Sequence, residues 1–288
     1  MVRLNLLLIA ILLPFICDAQ SFFNLRRHRN LTVFAGSGTA AYFGELSNPG
    51  KLNKPRYSFV AGSEFFFLPR FSLRAEAIWF RIAGDDAIAN DDRKLRNLSF
   101  FANNKEFNAV ATVNLVPLPS RFDLRSYFNV YGFAGMGLLV MNPKTKYDGK
   151  TYALQPIQTE GVAYSRFQPA FPVGFGIRFT YKMAASIVAE GGYRFLRTDY
   201  LDDVSGIPDP DRPTKGKFPD PATLSSDIAR TLSDRSNGQA VVRGNPTFND
   251  GYFLFNIKLE YYLEHAFDPF HKDRLKTIRA IDKAPRRK

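Results

Sequence analysis

A run near the far end of the chain, Gly251-Tyr252-Phe253-Leu254-Phe255-Asn256-Ile257-Lys258-Leu259-Glu260-Tyr261-Tyr262-Leu263, alternates between two kinds of face. Side chains of a strand point to opposite sides in turn. Phe253, Phe255, Ile257, Leu259, Tyr261 and Leu263 therefore form one wholly apolar face, and Asn256, Lys258 and Glu260 share the other. A soluble sheet needs a second layer over such a face. In a bilayer the lipid covers it, and a strand of about ten residues with one apolar and one polar side is the pattern of an outer-membrane barrel.

The opposite end of the sequence bears on compartment. Residues 1–3 include Arg3, residues 4–16 are largely apolar, and Cys17-Asp18-Ala19 sets small residues three and one before a cut at Gln20. The apolar run is too short for a spanning helix, and its flanks are those of a secretory signal peptide. A leader over residues 1–19 is expected. Phe15-Ile16 stand where lipidation at Cys17 would call for small residues, and removing the leader removes the single cysteine. The mature chain is then expected to lack thiol and disulfide chemistry. Aromatic residues make up 15% of the chain, with 28 Phe and 13 Tyr, which suits a lipid-facing belt with interfacial girdles.

Alternating or β-rich segments fall near residues 31–43, 57–68, 71–82, 104–116, 127–141, 167–180, 184–197 and 251–263. The connections alternate in length. Pro69-Arg70, residues 117–126 and Tyr181-Lys182-Met183 are short, whereas 44–56, 83–103, 142–166 and 198–250 are long and rich in Asp, Asn, Gly and Pro. Short periplasmic turns and long outer loops are the barrel plan, and a β-sandwich does not require this alternation. The expected fold is all-β: an eight-stranded antiparallel transmembrane β-barrel over residues 31–263 with long extracellular loops. A periplasmic N-terminal segment (20–30) and a basic periplasmic C-terminal tail (264–288) flank it.

Face parity puts Glu64, Arg74, Glu76, Arg178, Glu190, Arg194, Lys258 and Glu260 inside, opposite outward Phe71, Leu73, Trp79, Val173, Phe175, Ile177, Phe179 and Ile187. Four acids meet four bases. A barrel of eight strands is just wide enough to be filled by its own side chains, so these residues are expected to form a charge network that plugs the lumen. Gly132, Gly135, Gly137, Gly174, Gly176, Gly191 and Gly192 make room for bulky inward neighbours.

Catalytic chemistry is missing from the pattern. His28, His265 and His271 all lie in the terminal extensions, so neither the barrel nor its long loops offers a histidine general base or a His/Cys metal cluster. No enzymatic activity, cofactor, metal or small-molecule substrate is expected. Asp85-Asp86, Asp91-Asp92 and Asp202-Asp203 match no calcium-loop spacing and read as solvated turn residues. The formal net charge of +12 would suggest nucleic acid. Export argues against that partner. Part of the charge sits at the ends instead, in Arg26, Arg27 and Arg29 and in Lys272, Arg274, Lys276, Arg279, Lys283, Arg286, Arg287 and Lys288. These form a candidate periplasmic partner-binding surface, the tail being too short to fold alone.

Several further segments occur in order: Gly84-Asp85-Asp86, Arg96-Asn97-Leu98-Ser99-Phe100, Tyr131-Gly132-Phe133-Ala134-Gly135-Met136-Gly137, Asn142-Pro143, Leu154-Gln155-Pro156 with Thr159-Glu160-Gly161, Thr198-Asp199-Tyr200-Leu201-Asp202-Asp203-Val204-Ser205, Leu232-Ser233-Asp234-Arg235-Ser236 and Arg243-Gly244-Asn245-Pro246 with Asn249-Asp250. Together they resemble the PorG family of outer-membrane barrels, components of the type IX secretion and gliding machinery. The resemblance spans about residues 30–263. It implies a non-enzymatic barrel that ties a periplasmic ring of PorK and PorN to the outer membrane. The other reading is a stand-alone structural or ligand-binding barrel whose outer loops are capped. In that cap Arg96, Arg235 and Arg243 can pair with acids such as Asp202 and Asp203.

Overall fold

The computed structural model describes residues 30–46, 55–88, 91–118, 125–181, 185–236, 238–239 and 242–263. In chain order its strands are β1 (Leu31–Phe43), β2 (Arg56–Phe66), β3 (Phe71–Asp85), β4 (Ser99–Asn114), β5 (Phe128–Val140), β6 (Pro143–Tyr147), β7 (Lys150–Ala153), β8 (Phe167–Tyr181), β9 (Ala185–Leu196) and β10 (Gly251–Leu263). All but β6 and β7 form the wall of a closed antiparallel barrel, in which each strand pairs with the next and β10 returns to β1. The seam runs in unbroken register from Leu31↔Leu263 to Phe43↔Gly251.

The wall follows the period of two. On β10 Asn256, Lys258 and Glu260 are buried while Phe255, Ile257, Leu259 and Tyr261 are exposed. The same alternation on β3 buries Arg74 and Glu76 and exposes Phe71, Leu73 and Trp79. Phe175 is 67% exposed while Arg178, on the same strand, is 0% exposed. A sheet that buries its charges and bares its aromatics is inverted relative to a soluble protein. The apolar belt is far beyond what a soluble monomer leaves uncovered, and a bilayer supplies its cover.

The lumen is packed in layers. Phe66, Leu118 and Tyr262 close the end that carries the short turns. A large apolar cluster including Tyr42, Phe80, Phe100, Leu139, Leu201, Tyr252 and Leu254 fills the opposite end beneath the long loops. Between them lie the charged side chains, with Tyr131 and Phe133 among them. Two inward rings occupy space that glycine leaves: a Cβ at Gly176 would sit 2.4 Å from the Tyr131 ring, and one at Gly174 or Gly192 would sit 2.6 Å from Phe133.

Three features differ from the sequence expectation. β3 and β4 run past the expected ends as a continuous ladder to Asp85↔Ser99, along which Ile82, Phe100 and Ala102 turn into the apolar cluster beneath the long loops. The stretch 142–166 holds the hairpin β6–β7, turned at Asp148 and Gly149 with φ of 47° and 69°. Positive φ at both turn residues matches the twist of paired strands, and an Asp-Gly pair supplies it. Asp86, Asp202 and Asp203, expected as solvated turn residues, are buried. The leader, the 20–29 segment and the 264–288 tail lie outside the described residues, as do all eleven of the terminal Arg and Lys residues.

Candidate functional site

The structure brings all eight inward charged residues together in the lumen. Arg178 donates to Glu260 at 2.7 Å and to Glu64 at 2.8 Å, and Glu64 also accepts from Thr112 at 2.9 Å. In the middle, Arg74 meets Glu190 at 2.6 Å and Glu76 at 3.0 Å, and Lys258 meets Glu190 at 2.7 Å. The Tyr131 hydroxyl donates to Glu190 at 2.7 Å. Nearer the long loops, Arg194 lies 3.6 Å from Glu106, which accepts from Tyr252 at 2.6 Å. Asn108 joins the layers by donating to both Glu76 and Glu106. Glu106 is a fifth acid that the sequence reading missed, although continuing the β4 parity inward through Val110 and Asn108 reaches it. Arg125, stacked 4.8 Å over Tyr262, adds a fifth base at the short-turn end. Charges so enclosed must be paired, since an isolated one would cost several kcal/mol.

Above the barrel the long loops form a cap organised by two arginines. Arg96 grips Asp86 through two bonds of 2.8 Å and also donates to the main chain of Glu45 and Arg243. Arg243 pairs with Glu160 at 2.5 Å and donates to Thr159 and to the carbonyls of Asp203 and Ser233. Glu160 further accepts the Ser205 and Gly206 amides at 3.0 and 2.9 Å. The expected pairing with Asp202 and Asp203 side chains is thus corrected: the acids used are Asp86 and Glu160. Arg235 donates to Thr145 and stacks on Tyr147. The Asp203 carboxylate accepts from Thr159 and Tyr164, yet burial prevails and holds it up at about 6.

A second group of acids lies where β1, β9 and β10 enter the cap. Glu45, Asp199 and Asp250 place one carboxylate oxygen each within 4.8 Å of one another. The Tyr42 hydroxyl lies 2.6 Å from Asp202 Oδ2 and 3.0 Å from Asp250 Oδ1, so a single proton serves both. Burial, reinforced by the charge of Asp199, pushes Glu45 up to about 8, and burial likewise lifts Asp199 to about 8. Asp202 and Asp250 are also displaced well upward, by burial first and by their acidic neighbours second. A cavity of about 690 Å³ opens beside this group, with Gly44, Glu45, Arg93, Arg96, Asn245 and Asp250 in its wall.

A filled lumen, an apolar belt and a closed ring of eight strands decide the type of molecule. The chain is a β-barrel of the outer-membrane type. No protein-family model matches it, and no curated protein does. Among solved structures it is similar to Ail, the attachment invasion locus protein of Yersinia pestis, in complex with the heparin analogue sucrose octasulfate, at 11% identity over 81% of this chain and 98% of Ail, TM-score 0.40. Neisserial surface protein A is 11% identical over 81% of this chain and 97% of its own, TM-score 0.41. OprG from Pseudomonas aeruginosa is 7% identical over 82% and 98%, TM-score 0.39.

The barrel's partners at its belt are the lipids of the outer membrane. No sequence signal pointed to Glu45, Asp199 and Asp250 as a group. Glu45 lies 205 positions before Asp250 in the chain, and only the β1–β10 seam and the ends of the 197–250 loop bring the three together.

Proposed function

We propose that this barrel is a non-enzymatic outer-membrane component of a type IX secretion machinery, anchoring a periplasmic ring of the PorK and PorN type. The observation that carries the reading is the use of the family-like segments: Arg96, Glu160, Asp202, Asp203 and Arg243 bond to other parts of the cap and barrel. Residues engaged in holding the cap are not displayed for a ligand, and a plugged lumen offers no conduit. The short-turn end then becomes the working face. In the orientation proposed, that end and both termini face the periplasm, and the basic residues outside the strands supply charge for docking. Affinity purification of the tagged chain from detergent-solubilised envelopes tests this. Recovery of ring proteins supports it; recovery of the barrel alone, together with normal secretion by cells that lack it, would overturn it.

A second reading, a ligand-binding barrel with capped outer loops, is favoured by the cavity bordered by Glu45, Arg93 and Asp250. Loss of an extracellular binding activity on removing the 198–250 loop, with secretion unaffected, would select it.

A further inference from the structure

Asp199 begins the longest loop of the chain with an unusual carboxylate. It is only 8% exposed, and among the described residues neither of its oxygens takes part in a hydrogen bond. One oxygen points into the group where Glu45 and Asp250 contribute theirs, all within 4.8 Å. Glu45 Oε2 is likewise buried without a hydrogen-bond partner. A buried carboxylate in this condition lacks what water would have given it, and the cost of that is high unless a proton or a cation takes the place of the water. The nearby guanidinium of Arg96 is committed to Asp86 at 2.8 Å and to main-chain carbonyls. The group is thus a set of hard oxygen donors, with no imidazole or thiolate among its members.

We propose that Glu45, Asp199 and Asp250 form a binding site for one calcium ion that locks the loop cap. Spacing favours this ion. Calcium holds oxygens at about 2.3–2.6 Å, so two ligands on opposite sides of it stand roughly 5 Å apart. The three carboxylate oxygens lie within 4.8 Å of one another, inside that span. Magnesium, at about 2.0–2.1 Å, spans only about 4 Å between opposite ligands and so fits a tighter group. The adjoining cavity, whose wall includes Glu45 and Asp250, gives the ion a path from solvent and leaves room for water ligands. Asp202 is not among the three carboxylates whose oxygens converge; it holds the Tyr42 hydroxyl and the Val204 amide beside them.

The site would act as a clasp. Asp199 and Asp250 stand at the two ends of the 197–250 loop, and Glu45 belongs to the loop after β1. One ion bound to all three fastens the root of the largest loop to the neighbouring one across the barrel seam. The inference does not depend on which partner the barrel serves.

The test is titration of calcium chloride into the full folded chain in detergent after chelator treatment, followed by calorimetry and by amide exchange over the cap. One ion per barrel is expected, with a dissociation constant no weaker than the roughly millimolar range of extracellular calcium modules. Slower exchange should follow at residues 199–205. Asp199→Asn and Glu45→Gln, each keeping shape while removing charge, should each weaken binding at least about tenfold, since affinity follows ligand charge. Asp227→Asn, at a side chain 96% exposed on a cap helix, should leave binding unchanged. Heat-modifiable migration on gels verifies that every variant is folded. Absence of saturable calcium binding by the wild-type barrel, equal affinity in Asp199→Asn, or equal losses in Asp227→Asn would each overturn the site, as would magnesium binding as tightly as calcium.

Discussion

Glu190 accepts from Arg74, Lys258 and Tyr131 at once, so its removal leaves two buried cations with Glu76 alone and a hydroxyl without its acceptor. Glu190→Ala should destabilise the barrel by about 3–5 kcal/mol, the range for breaking a buried pair from one side. Urea unfolding in lipid vesicles measures it. The exposed Asp227–Arg230 pair, at 2.6 Å, is the control, and Asp227→Ala should leave the midpoint where it was. Gly176→Ala tests the lumen from the steric side: the added methyl meets the Tyr131 ring at 2.4 Å and should cost about 1–3 kcal/mol as overpacking. Unchanged unfolding in either lumen variant would mean that the interior is looser than described. At this scale the sequence was legible wherever parity could be counted outward from an unambiguous strand. Lys258 and Glu260 were readable from their own apolar neighbours, whereas Glu106 hid beside Lys105 in a stretch of Asn and Phe whose facing looked arbitrary. The carboxylates of Glu45, Asp199 and Asp250 left no trace, because nothing local relates residues that only barrel closure makes neighbours.

Strands were legible where lipid demands a period of two, and less so where the ladder leaves the membrane. β3 and β4 continue to Asp85↔Ser99 above the lipid, where Ile82, Phe100 and Ala102 pack into the apolar cluster under the cap and hold the ladder without a lipid-facing pattern to announce it. The β6–β7 hairpin announced itself only through Asp148-Gly149. Among the loops, the cap depends on Arg243, which touches three separate segments through Thr159 and Glu160, Asp203, and Ser233. Arg243→Ala should expose the 198–250 loop to limited proteolysis while the eight wall strands stay protected, and intact loops after protease treatment would count against its role. The cap should also respond to pH. Asp203 rises from its ordinary 3.8 to about 6 on folding, so the cap favours its protonated form. The stabilisation from that proton is complete below 3.8 and is lost as pH climbs to about 6. Amide exchange at residues 159–164 should quicken over that window in the wild type and stay flat in Asp203→Asn. Equal pH dependence in both would assign the effect to another group.

For the molecule as a whole, the sealed interior predicts planar-bilayer recordings without steady large conductance, and an open, long-lived channel would refute the plug. Truncation after Leu263 leaves β10 complete, so insertion should survive. If the barrel anchors a periplasmic ring as proposed, co-purification with ring proteins should fall, and the loss should be mimicked by raising salt, which shortens the range of charge steering from about 8 Å at physiological strength. Retained partners across salt concentrations would move attention to the β2–β3 and β4–β5 turns. The seam between β1 and β10 has a further meaning in time. The last strand made is also the one that closes the ring, and it arrives bearing Lys258 and Glu260, the partners awaited by Glu190 and Arg178. Before closure those charges have no complete set of neighbours. A closure slipped by one residue would turn Lys258 and Glu260 outward into lipid. The charges that fill the finished lumen therefore also proofread its assembly: a barrel that joins its first strand to its last in the wrong register is rejected by the membrane itself.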